Sequence, residues 1–213
     1  MEDFGAKTRK LLRSGNALVL QCEIQPYFEL FQDIITDCIP EPKEGSPRGI
    51  VICTDDQMAR AFADYLEHRF KKLDLTLDLI VEKGQRVRQR NDLFFGTELI
   101  VGTPKRICEM YFQNGFNIGE LKLFMLLDLN TILKTGNKGF VNRISESLPR
   151  CKKVVIETLD REARVSEYIK DFMTLFNLVK EHNGTLKSSL DYVNRLFIED
   201  GNYDDEELNE PEN

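Results

Sequence analysis

Short apolar runs alternate with longer amphipathic stretches along most of the chain. Ala17–Gln21 (ALVLQ), Arg48–Cys53 (RGIVIC), Leu75–Glu82, Glu98–Val101, Leu123–Leu127 and Lys152–Glu157 (KKVVIE) read as strands. The run Leu123–Leu127 is apolar at every position and ends on Asp128, the pattern of a strand buried on both faces of a parallel sheet. Between the strands, apolar residues recur at helical spacing. Phe28, Phe31, Ile34, Ile35 and Cys38 follow Pro26, a residue suited to a first helical turn. Met58, Ala61, Phe62, Tyr65 and Leu66 form one face of a helix over 57–70, announced by the N-cap sequence Thr54-Asp55-Asp56. Further helices are predicted over 4–15, 86–95, 105–112, 140–148 and 161–178, the last one stopped by Asn183-Gly184. Pro40–Pro47 and Lys134–Lys138 read as loops, and Leu186–Ile198 as a final amphipathic segment. Strand and helix in strict alternation predict an α/β fold: a three-layer, doubly wound, mostly parallel sheet.

Composition changes this picture in two places. The chain has 213 residues, 41% hydrophobic and 31% charged, enough for one substantial domain. Its net charge of -7 is uneven, because residues 199–213 hold eight acids and no base. Taking those eight from the 36 acids leaves 28 against 29 Lys and Arg in residues 1–198, a body of net +1. The overall acidity therefore says little about whether the body can meet a phosphate backbone, and 199–213 reads as a disordered acidic tail. The five cysteines (22, 38, 53, 108 and 151) are widely spaced with no C-x-x-C, so buried reduced thiols are expected rather than a zinc site. No metal or other cofactor is expected. No apolar run approaches the roughly 18 residues of a membrane span, and MEDFGAKTRK has no apolar segment behind its charges. A cytoplasmic protein with no membrane contact is the expectation.

Candidate chemistry lies where strands pass into helices, since ligands of open α/β sheets gather beyond the carboxyl ends of the strands. Three such junctions carry polar signatures: Cys53-Thr54-Asp55-Asp56, Val101-Gly102-Thr103-Pro104-Lys105-Arg106 and Leu127-Asp128. In order and spacing they resemble the first RecA-like domain of the DEAD-box RNA helicases over roughly residues 15–180. The segment GTPKR (102–106) is similar to the family's T-P-G-R box, and Thr54 with Gln57–Ala59 stands at its P-T-R-E-L-A position. Gly84 falls where the family carries a glycine pair, and Glu157-Thr158-Leu159 where it carries S-A-T.

The resemblance breaks at the ATP site. Cys22–Glu29 (CEIQPYFE) occupies the place of A-x-T-G-x-G-K-T and has neither glycine nor lysine. A phosphate loop works by aiming backbone N–H groups at phosphates, with glycines allowing close approach and lysine neutralising charge. Two rings and a carboxylate would block and repel the same phosphates. Asp128 is followed by Leu129, Asn130 and Thr131 in place of E-A-D, and leucine cannot position a nucleophilic water. Gln25, Pro26, Tyr27, Phe28, Glu29, Asp128 and Thr158 are thus read as the remnant of an ATP site, with Asp128 capping a turn or pairing with a base. No catalytic residue is assigned.

The RNA face implied by the resemblance comprises Thr54, Lys83, Gly84, Arg86, Arg90, Thr103, Pro104, Lys105 and Arg106. The aromatics, clustered in helices, are expected in the core. Together these readings predict a degenerate RecA-like domain over 1–185, the amphipathic segment over 186–198 and the tail over 199–213. The expected function is a non-catalytic module binding RNA or a protein partner. Leu190, Val193, Leu196 and Phe197 offer a contact to the body, to another protein or to a second copy of the chain. The alternatives are an ATP-binding half-helicase completed by another chain, and a pure protein-interaction scaffold.

Overall fold

The computed structural model describes residues 4–158, 161–173, 175–182 and 185–188. Eight strands form one sheet in the order β3-β4-β2-β5-β6-β1-β7-β8. They are β1 (Ala17–Gln21), β2 (Gly49–Ile52), β3 (Leu77–Ile80), β4 (Leu99–Gly102), β5 (Leu123–Leu126), β6 (Lys152–Glu157), β7 (Asn177–His182) and β8 (Thr185–Ser188). The first seven are parallel, and β8 closes one edge antiparallel to β7. Alternation along each strand splits the core in two. Leu18, Leu20, Val51, Leu123 and Met125 face helices α1 (Phe4–Ser14), α2 (Phe28–Cys38) and α3 (Asp56–Lys72). Val19, Ile50, Ile52, Phe124 and Leu126 face α4 (Arg86–Phe95), α5 (Pro104–Phe112), α6 (Leu129–Lys134), α7 (Lys138–Ser147) and α8 (Ala163–Phe172). This is the three-layer architecture expected from the alternation of elements.

Three local expectations are corrected. The helix predicted over 161–178 ends at Phe172, and Asn177–His182 is instead a strand paired in parallel with β1. Leu178 and Val179 are both buried and face opposite layers, so one helical stripe could not have buried them together. Leu129–Lys134, for which no element was expected beyond Asp128, is a short helix. The α-helix expected to open at Pro26 begins at Phe28, after a 3-10 turn over Gln25–Tyr27. The segment expected from Leu186 begins inside β8, and Asn183, Gly184 and residues 189–213, with the acidic tail, lie outside the described residues.

The aromatics also depart from expectation. Phe31, Phe62 and Phe124 are core residues, but Phe94 and Phe95 are 86% and 85% exposed and Phe112 is 45% exposed. The thiols are free, four of them buried and Cys38 half-buried. No described helix is long and apolar enough to cross a membrane.

Candidate functional site

The carboxyl ends of the parallel strands carry two neighbouring regions. The first is a cleft of about 490 Å³ beyond β1, β5 and β6. It brings together Gln25, Pro26, Asp128 and Thr158 of the expected remnant, with Cys22, Glu23 and Glu157. Tyr27, Phe28 and Glu29 are not in its lining. Phe28 is turned into the α2–α3 interface, its ring 4.9 Å from Phe62 and 5.4 Å from Tyr65. Glu29 sits exposed in the first turn of α2, where a carboxylate offsets the helix dipole. Pro26 has no N–H to offer, and the Tyr27 amide donates to Ile24 O at 3.0 Å.

Each carboxylate at the floor of the cleft has a structural task. Asp128 adopts left-handed backbone geometry (φ +65°), and its Oδ1 accepts from the Thr131 amide at 3.0 Å, capping α6. Glu157 is buried and accepts both from Arg161 Nε, at 2.9 Å to each oxygen, and from Gln21 Nε2 at 2.7 Å. Asn130 Oδ1 takes the Thr158 amide at 3.0 Å, tying the end of β6 to α6. Among the described residues, no Lys or Arg lines the cleft. Burial, reinforced by the charges of Glu181 and Glu23, pushes the Cys22 thiol up to about 12, so it is not a nucleophile near neutral pH. Burial and the Glu181 carboxylate raise the Tyr27 phenol as well. Glu157 and its Arg161 partner were missed by sequence reasoning. The available signal was a pair of polar residues, Gln21 and Glu157, each closing the apolar run of its strand, and the two strands pair with these residues in register.

The second region lies beyond β2, β3 and β4. The loop from β3 into α4 is held by α3: Asp55 caps its own helix through the Gln57 and Met58 amides, at 2.8 and 2.9 Å. Asp56 accepts from the Glu82 and Lys83 amides at 3.0 and 2.9 Å. A Cβ at Gly84 would displace the Gln89 side chain, whose Nε2 donates to Val81 O at 2.9 Å. Gly102 is required, since its Cβ would meet the Ile80 carbonyl of the neighbouring strand.

Helices α4 and α5 start side by side with basic, acid-free first turns and no side-chain cap. Arg86 and Arg90, four residues apart, share one flank of α4 and are exposed, as is Lys83. None of these three forms an ion pair among the described residues. Arg88 approaches Asp92 at 3.9 Å. A hollow of about 440 Å³ beside Gly84 is bordered by Arg88 and by Arg60 of α3, a cation not singled out from the sequence. Lys105 pairs with Glu82 at 3.3 Å. Arg106 is engaged more deeply, donating to Glu82 O at 2.7 Å with its side chain 12% exposed. The Thr54 hydroxyl donates to Asp55 at 3.2 Å. Thr103 and Pro104 are buried, and Thr103 Oγ1 has no hydrogen-bond partner among the described residues. Such helix starts, with partly positive amides and flanking arginines, favour phosphate.

Known proteins share this architecture. A DEAD box protein from Methanococcus jannaschii superposes with a TM-score of 0.75 at 19% identity, over 84% of this chain and 49% of that one. A hypothetical ATP-dependent RNA helicase from Sulfolobus tokodaii gives 0.74 at 13% identity, over 84% and 52%. The fold is that of a DEAD-box RecA-like domain. In sequence, the chain is similar to ATP-dependent RNA helicase eIF4A of Kluyveromyces lactis, 24% identical over 166 residues (77% of this chain, 42% of that one). To the same helicase of Lodderomyces elongisporus it is 29% identical over 111 residues, 51% of this chain and 28% of that one. No family model matches. The chain thus spans less than half the length of these two eIF4A helicases, and it is a helicase-like RecA-type domain resembling the DEAD-box proteins.

Proposed function

We propose that this domain is a non-catalytic RNA-binding module. It takes the phosphate backbone across the adjoining starts of α4 and α5 and does not turn over ATP. One observation carries the reading: α4 and α5 open with uncapped, acid-free first turns beside Lys83, Arg86 and Arg90, which form no ion pair among the described residues, whereas α2 and α3 open with acids and the first-turn bases of α7 and α8, Lys138 and Arg164, pair with Glu167 and Glu162. Exposed cations without an ion pair among the described residues are thereby concentrated at the helix starts on the β3–β4 side. The cleft beyond β1, β5 and β6 fits nucleotide phosphates poorly: its lining has no cation among the described residues, Pro26 removes an amide donor, and Asp128 is committed to capping α6.

The test is RNA binding measured by fluorescence anisotropy across a salt series, beside an ATPase assay with RNA present. Neutralising about three phosphates of a single strand through Lys83, Arg86 and Arg90 gives a log–log salt slope of about −2. Charge reversal at Lys83, Arg86 and Arg90 should weaken binding at least tenfold at low salt, by roughly the loss of those contacts. Arg106 is left alone, because it holds the Glu82 carbonyl. No ATP turnover is expected, and Asp128→Ala should cost about 1 kcal/mol of stability through loss of the cap. RNA-stimulated hydrolysis abolished by Asp128→Ala would favour the half-helicase completed by another chain. Absence of RNA binding at low salt would leave a protein-interaction scaffold.

A further inference from the structure

At the opposite end of the sheet from the strand-end cleft, α1 and α2 converge over the amino ends of β1, β5 and β6. They enclose a groove of about 380 Å³. Its walls are apolar, from Leu12, Ile34, Cys38 and Cys151. Burial pushes both of these thiols up to about 11, so they contribute no charge near neutral pH. The rim is cationic. Arg9, Arg13, Lys122, Arg150 and Lys152 surround it against a single acid, Asp37. Arg13 is paired with Asp37 at 2.9 Å, Arg9 with Asp33, and Lys152 donates to Leu12 O at 2.8 Å. Lys122 and Arg150 are exposed and form no ion pair among the described residues. An apolar slot with a surplus of positive charge calls for an occupant that is apolar along one stripe and anionic beside it.

The chain carries such a segment. Leu190, Val193, Leu196 and Phe197 recur at spacings of three and four, and after Ile198 the fifteen residues 199–213 hold eight acids. The described chain also ends pointing toward the groove. Ser188 is paired with Val179 of β7, which is paired with Leu20 of β1, so Ser188 lies two strand spacings, about 10 Å, from β1. Because β8 runs antiparallel to β7, the chain heads toward the amino end of β1, where Asn16 borders the groove. Asn177, at the start of β7, already reaches α1, its Nδ2 donating to Leu11 O at 3.3 Å. From Ser188 to the level of Asn16 is about 16 Å, and eight residues of extended chain to Leu196 span about 26 Å.

We propose that residues 189–213 of this chain dock back on the α1–α2 groove, with Leu196 and Phe197 in the apolar slot and the following acids against Lys122, Arg150 and Arg13. This surface is independent of the RNA reading, since it lies at the other end of the strands and shares no residue with α4 or α5.

The full chain tests it through trypsin cleavage after Arg195, which docking shields. Wild type is compared with the double variants Leu196→Ser/Phe197→Ser, which keeps the Arg195 bond a good substrate, and Lys122→Glu/Arg150→Glu, with circular dichroism confirming that each folds. Cleavage is expected about tenfold faster in both variants, because cutting tracks the population of the undocked state. Raising salt from about 0.05 to about 0.5 M should speed cleavage of wild type toward the variants. A second readout is maleimide labelling of Cys38, expected faster in both variants. Wild type cut as fast as the variants overturns the proposal. So does protection that survives Lys122→Glu/Arg150→Glu, which puts the segment elsewhere. Protection that grows with protein concentration overturns it too, in favour of a second copy of the chain.

Discussion

Asp78 is a carboxyl group whose surroundings work against its charge. It lies on β3, the outermost strand on the α4 side, partly buried, and its Oδ2 has no hydrogen-bond partner among the described residues. Burial, with the nearby charge of Asp92, pushes it from 3.8 up to about 6. The folded protein thus holds a proton that the unfolded chain releases between about pH 4 and pH 6. The stabilisation from that proton is fully present below about pH 4 and is lost as pH rises through about 6. Arg88 beside Asp92 and Arg60 across the hollow are the cations near this corner, and neither forms an ion pair with Asp78. Asp78→Asn should therefore make the domain more stable than wild type at pH 7, by about 1 kcal/mol once solvent screening is allowed for. The gap should close toward pH 4. Urea unfolding of the two proteins between pH 4 and 7 measures it, and a gap that does not vary with pH would mean that Asp78 ionises normally. The contrast with Glu157 is instructive: it is buried more deeply, yet Arg161 and Gln21 satisfy both of its oxygens.

At the level of elements, what could be read from the sequence followed the strength of local patterns. Leu123–Leu127 and Arg48–Cys53 are apolar at nearly every position, and the structure places both in the centre of the sheet. The α4 and α5 starts were legible because Gly84, Thr103 and Pro104 punctuate the chain there. Asn177–His182 was not legible, because NLVKEH follows a helical repeat without a break and its two apolar residues fit either period. What makes it a strand is tertiary: β1 would otherwise present an open edge, and pairing with β7 covers it. The exposure of Phe94 and Phe95 was hidden for a similar reason, since spacing reports a helix face without saying what covers it. If β7 is a central strand in energetic terms, Val179→Asp, which puts an unpaired charge where relative exposure is 0%, should cost at least about 3 kcal/mol. On a helix with an exposed face the same change would be close to neutral. Thermal unfolding followed by circular dichroism distinguishes the two.

Across the whole molecule the sheet separates two charged surfaces. The helix starts of α4 and α5 lie at the carboxyl ends of the strands, and the cationic groove between α1 and α2 lies at the amino ends. Strands of four to six residues put these surfaces about 15 to 20 Å apart before loops are added. Electrostatic coupling between them is therefore strong only at low salt, since the screening length is about 8 Å near physiological ionic strength. If RNA binds at the α4 and α5 starts as proposed, the eight acids of 199–213 should act on that binding through this field. Replacing all eight by their amides changes the net charge of the chain from -7 to +1 and should tighten RNA binding several-fold at about 0.05 M salt, with the difference gone by about 0.5 M. At about 0.15 M, a segment held in the groove should affect RNA binding little, because the acids stay beyond a screening length from Arg86 and Arg90. Releasing it with Leu196→Ser/Phe197→Ser lets the acids approach those arginines, and RNA affinity at that salt should fall. Anisotropy titrations of wild type, the amide variant and the released variant at the three salt concentrations measure both effects. If the amide variant matches wild type at the lowest salt, the acids do not act through the field. If releasing the segment leaves affinity at intermediate salt unchanged, the acids were not being held away from the RNA face.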